Sequence, residues 1–155
     1  MIFSKEVAFQ KAKHFCAYQE RSHQEVRDKL YSFGLYKADV EELLSNLITE
    51  NYLDEERFAT QFVSGKFRIK NWGRIKIRQA LKFKQVSEYN IRKAFDSIDE
   101  DEYKKVALKL AKKKFASVKG DQHLVRKFKT MQYLLQKGFE RPLVNSILIE
   151  INERK

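Results

Sequence analysis

The feature that most constrains this chain is that it repeats itself. Residues 25–47, EVRDKLYSFGLYKADVEELLSNL, align without a gap on residues 76–98, KIRQALKFKQVSEYNIRKAFDSI, after a shift of 51 positions. A further shift of 53 brings residues 129–151, KTMQYLLQKGFERPLVNSILIEI, into line. Val26 meets Ile77, Leu30 meets Leu81, Leu35 meets Val86 and Val40 meets Ile91. In the third copy Leu134, Phe139, Val144, Leu148 and Ile151 take the same apolar positions. A period of this length is the mark of small supersecondary units that bury their apolar faces on one another.

Within each copy the apolar spacing is helical. Val40, Leu43, Leu44 and Leu47 run i, i+3, i+4, i+7, as do Ile91, Ala94, Phe95, Ile98 and Val144, Ile147, Leu148, Ile151. Gly34 and Gly138 fall at equivalent positions and suit the left-handed residue that closes a helix. Gln85 stands at the matching place in the middle copy, where the lost glycine costs up to about 1 kcal/mol. Ser22 with Glu25 has capping-box spacing, and Asp54 followed by Glu55 and Glu56 marks another helix start. Leu53 with Phe58, and Val86 with Ile91, have hydrophobic-staple spacing. Pro142 fits a first helical turn, where its missing N–H costs little.

These signals predict helices over 5–19, 22–33, 37–50, 54–70, 73–84, 87–98, 101–119, 121–137 and 140–153. The expected architecture is all-α: three tandem three-helix repeats, residues 1–50, 51–99 and 100–155, stacked into an elongated, curved body. The stretch 62–84 tests this reading, because basic and apolar residues partly alternate there as they would in a β-ribbon. The repeat decides for helix: Ile77 and Leu81 align with Val26 and Leu30, and Ala59, Phe62, Val63 and Phe67 form a helical face. Asn71-Trp72-Gly73 then links two helices. Trp72 is read as a plug between them rather than as a base-stacking side chain.

Charge narrows the partner. The formal net charge is +11 and it grows along the chain: −1 over residues 1–50, +4 over 51–100 and +8 over 101–155. From Arg57 to Ser87 there are nine basic residues and no acid, and from Tyr103 to Gly120 seven lysines and no acid. Such an imbalance points to a polyanion, most simply nucleic acid bound through phosphates. The candidate contact residues are Arg57, Lys66, Arg68, Lys70, Arg74, Lys76 and Arg78, with Lys112 and Lys113 as a more diffuse patch. Arg68, Arg74 and Arg78 are the candidates for bidentate contacts.

No catalytic constellation emerges. His14, His23 and His123 are scattered, and His14 and Cys16 point to different sides of a helix. SGKF at 64–67 lacks the earlier glycine of a phosphate-binding loop. The acids of LDEER are explained as helix-start residues. The expectation is a protein that binds and does no chemistry, with no metal and no cofactor. No apolar run spans a membrane, a signal-peptide core is missing and the single cysteine forms no internal disulfide, so a cytoplasmic monomer is expected.

ERSHQEVRDKL (20–30), NYLDEERFATQFV (51–63), WGRIKIRQAL (72–81) and LLQKGF (134–139) together resemble the bacterial RecX family, in its order and spacing. The second motif is the most specific, through Tyr52, Leu53, Asp54, Glu56, Arg57, Phe58 and Ala59. Gln85 departs from the pattern, which carries glycine there. The resemblance implies tandem three-helix units. It also implies a partner, the RecA recombinase filament on DNA, in whose helical groove such proteins lodge. There they suppress strand exchange and ATP hydrolysis, by blocking extension or promoting disassembly. The basic face would meet single- or double-stranded DNA, or the filament itself. The competing expectations are a general helical DNA-binding protein or transcription regulator acting without RecA, and a scaffold whose charge only keeps it soluble.

Overall fold

The computed structural model describes residues 2–153. Among them the chain is all-α, with nine helices and no strand: α1 (Lys5–Tyr18), α2 (His23–Ser32), α3 (Lys37–Thr49), α4 (Glu55–Arg68), α5 (Arg74–Phe83), α6 (Glu88–Phe95), α7 (Glu100–Ser117), α8 (His123–Lys137) and α9 (Arg141–Glu153). The alternating stretch is helical on both sides of its corner. Helix boundaries match the expected ones to within two residues, except that α6 closes three residues before Ile98. There the Ile98 N–H turns back to the Phe95 carbonyl at 3.0 Å, which keeps Ile98 buried. Asp99 is left outside the helix, and its side chain caps α7 through the Glu102 N–H at 3.0 Å.

The starts follow the caps read from sequence. Ser22 and Glu25 form a reciprocal capping box, and Asp54 accepts from the Arg57 N–H at 2.9 Å. The ends are more uniform than glycine content suggests. Gly34, Asn51, Asn71, Gln85 and Gly138 all adopt positive φ. At Asn51, Gln85 and Gly138 the closure is a Schellman motif: the next residue's N–H reaches back five positions, to Leu47, Leu81 and Leu134 respectively. Gln85 thus takes the conformation its glycine-bearing equivalents take, at φ 62°.

The chain forms two compact units. The first runs to Phe62 and takes in Leu81–Ala94. Its core is a cluster that includes Ala8, Ala12, Val26, Leu30, Val40, Leu44, Leu47 and Leu53. The second comprises Val63–Ala80 and the described residues from Phe95 onward. It buries Phe67, Tyr103 and Phe139 completely, with successive ring centroids 5.6 and 5.3 Å apart. Burying an aromatic of this size contributes about 1.5–3 kcal/mol. Helices α4 and α5 each contribute residues to both units.

Candidate functional site

The corner between α4 and α5 belongs to the second unit and is built by close backbone contact. Asn71 closes α4 with φ 58°, and the Trp72 N–H returns to the Lys66 carbonyl at 3.0 Å. The Gly73 N–H donates to the Lys137 carbonyl at 2.7 Å, and the Ile75 N–H to that of Gly138 at 3.0 Å. A Cβ on Gly73 would lie 2.3 Å from the Gly138 carbonyl carbon, so only glycine fits. Lys137 adds a hydrogen bond from Nζ to the Lys70 carbonyl, 2.9 Å. The end of α8 thereby fixes the path of the corner.

Two of the arginines proposed from sequence are committed to this fold. Arg74 divides its fork between two carboxylates: Nη1 lies 2.9 Å from Glu140 and Nη2 is hydrogen-bonded to Glu100. Its guanidinium carbon sits 3.8 Å from the Tyr103 ring centroid. Its backbone N–H donates to the Tyr103 hydroxyl at 2.9 Å, and that hydroxyl donates to Glu140. Burial draws the Arg74 pKa down, but Glu140 and Glu100 more than reverse this. Burial, and then the bond to Glu140, push the Tyr103 hydroxyl far up, so it stays a donor. Arg57, in the first unit, is hydrogen-bonded to Glu20 and to the side chain and carbonyl of Asn51, at 3.1 and 3.2 Å for the latter two. The Glu20 carboxylate raises its pKa.

Lysines make up most of what remains at the corner. Lys66 and Lys76 lie over the Trp72 ring, their Nζ atoms 4.8 and 4.5 Å from its centroid. The half-buried indole therefore gathers two cations from two helices. Lys70 is exposed. Arg68 makes an exposed ion pair with Glu102 at 3.5 Å and a hydrogen bond to Ser64 at 2.7 Å. An exposed pair of that kind contributes little, so a phosphate can displace it. Arg78 lies 5.4 Å from the Phe95 ring centroid.

The structure also joins the two basic runs. Asn71 lines a cleft of about 250 Å³ together with Val106, Lys109, Leu110 and Lys113 of α7. Lys109 and Lys113 lie one helical turn apart and so share a face. Lys112 is exposed on α7 and is not among the lining side chains. Sequence reasoning missed Lys109 and Asn71, because the separation from Asn71 to the α7 lysines is closed only by tertiary packing. It also missed Glu100, Glu102 and Glu140, which meet the arginines from far along the chain. Among the described residues no group of three or more His, Cys, Asp or Glu side chains is placed to hold a metal ion. No described helix is long and apolar enough to cross a membrane.

Comparison with known proteins agrees with the fold and names the relatives. The family models for the second and third three-helix domains of RecX match residues 54–94 and 100–148. Regulatory protein RecX of Prosthecochloris aestuarii is 32% identical over 144 residues, covering 93% of each chain. That of Oceanobacillus iheyensis is 30% identical over 139 residues, which is 90% of this chain and 51% of that protein. The chain spans about half the length of that relative. The crystal structure of RecX from Lactobacillus salivarius superposes with a TM-score of 0.88 over 96% of both chains. At 22% identity that likeness speaks to the fold. A second crystal structure, of regulatory protein RecX, gives 0.84 at 25% identity, over 92% of this chain and 70% of that one. With two of its three-helix segments matched and a relative aligned along nearly its whole length, the chain belongs to the RecX family.

Proposed function

We propose that this chain regulates RecA by binding the RecA filament on DNA and inhibiting its recombinase and ATPase activity. Membership in the RecX family is the observation that carries the proposal. The lysine-rich corner supports it, since a filament wrapped on DNA offers the polyanion such a surface attracts. The contact surface in this account is Lys66, Lys70 and Lys76 around Trp72, with Arg68, Arg78, Lys109 and Lys113 beside them. Lys112 belongs to its diffuse margin. Arg57 and Arg74 serve the fold. The chain acts as a cytoplasmic monomer, without cofactor and without chemistry of its own. Occupying the filament groove blocks extension or favours disassembly.

Binding separates this from a general DNA-binding role. The labelled chain should bind RecA filaments assembled on single-stranded DNA more tightly than the same DNA bare. Its affinity for duplex DNA should fall with salt at a log–log slope of about −4 to −5, as expected for about five phosphate contacts. Equal affinity for bare DNA and filament would favour the RecA-independent role. A slope near zero would remove phosphate contact from the account.

A further inference from the structure

Helices α1 and α2 of the first unit border a second, larger cleft, of about 560 Å³ and open to solvent. Its side chains include Lys11, Phe15, Tyr18, Arg21, Lys29 and Phe33, and no carboxylate is among them. The Arg21 guanidinium carbon lies 3.7 Å from the Phe15 ring centroid and 6.0 Å from that of Tyr18. It is held there by a 3.0 Å hydrogen bond from Nε to the Phe15 carbonyl. The Lys29 ammonium lies 5.2 Å from the Phe15 centroid and 5.7 Å from that of Phe33. Tyr18 is 79% exposed, so its ring is open to a ligand. Glu20, next to Arg21 in the chain, is hydrogen-bonded to Arg57, and Glu25 and Asp28 line an adjoining depression that shares Phe15 and Lys29 with the cleft. Glu25 is engaged with Ser22 and Lys84, and Asp28 with Gln24.

This arrangement combines stacking surfaces with cations, and no carboxylate lines it. A guanidinium pinned on one ring leaves its outer face available, and the exposed tyrosine lies beside it. Nucleobases stack on such faces whatever their identity, while neighbouring lysines take the phosphates. A duplex keeps its bases inside and would leave the platform unused. An acidic peptide would meet the cations but not the rings. An open cleft admits a strand passing through rather than a small molecule enclosed. We propose that this cleft binds one unstacked base of a single-stranded nucleic acid. Arg21 and Tyr18 supply the stacking surface, and Lys11 and Lys29 meet the flanking phosphates. The site lies within the first unit and does not depend on RecA.

The test uses the full chain without RecA. Fluorescence anisotropy would compare eight-residue strands of deoxythymidine, of uridine and of abasic deoxyribose phosphate. Both base-bearing strands should bind more tightly than the abasic one, and their ratio tells whether DNA or RNA is preferred. Tyr18→Ala, which alters an exposed side chain and no charge, should weaken binding of the thymidine strand roughly tenfold. It should leave the abasic strand unaffected, whereas Lys11→Ala should weaken both. A thiothymidine strand should photo-crosslink within residues 10–33. Equal affinity for thymidine and abasic strands overturns the proposal, as does an unchanged Tyr18→Ala. Crosslinks confined to α4 and α5 also overturn it. So does displacement of the thymidine strand by a glutamate-rich peptide of equal charge as effectively as by a second thymidine strand.

Discussion

Arg74 and Lys76 are two positions apart and equally cationic, yet their surroundings differ. Arg74 lies between Glu100, Glu140 and the Tyr103 ring, whereas the Lys76 ammonium rests on Trp72. Tyr103→Phe should lower the urea-unfolding free energy by about 1–3 kcal/mol, because it strips an acceptor from the Arg74 N–H and a donor from Glu140. Lys76→Ala should cost under about 1 kcal/mol while weakening DNA and filament binding. A second residue carries a pH signature. His23 is partly buried, its Nε2 has no hydrogen-bond partner, and its Nδ1 is 3.7 Å from Glu55. Burial lowers its pKa below 6.5, Arg27 adds to this, and Glu55 and Asp54 oppose it. The unfolded chain therefore takes up the proton more readily than the folded one. The stability that His23 contributes is present above pH 6.5 and is lost as pH falls through its lowered folded value. Urea titrations between pH 7 and 5 should show that decline, and His23→Gln should flatten it. Glu55 is also lowered, but it titrates below this window.

At the scale of elements, helix ends carry the most information. The sequence marked Gly34, Gln85 and Gly138 as closing residues, but not Asn51 and Asn71, because asparagine is only one of several residues that tolerate the left-handed region. Gly73 looked like a residue that merely begins a helix. Its real constraint is the Gly138 backbone, 65 positions along the chain, and no local pattern encodes that. Two substitutions separate the roles. Gly73→Ala forces a Cβ into backbone and should destabilise the chain by about 1–3 kcal/mol. Gly65→Ala, in α4 with nothing within 4 Å of the new Cβ, should stabilise it by about 0.5–1 kcal/mol. Thermal unfolding of the two variants should move in opposite directions.

At the scale of the whole molecule, the all-α class and the nine helices of the described residues were legible because one pattern is written three times. Each copy resolves ambiguities in the others, as at Ile77 and Leu81. The candidate site was only half legible. Runs of like charge are local and visible, so the corner stood out as a candidate. The partners of its cations are not local: Arg74 and Arg68 meet Glu100, Glu102 and Glu140, and Asn71 shares a cleft with Lys109 and Lys113. The account's central claim is that this chain acts on the RecA filament. The most direct measurement is RecA ATPase on single-stranded DNA while the chain is titrated in. The account predicts inhibition well below one molecule per RecA, weakened by combined Lys66→Ala, Lys70→Ala and Lys76→Ala without loss of helicity. An ATPase rate unchanged at concentrations that saturate DNA binding would contradict it.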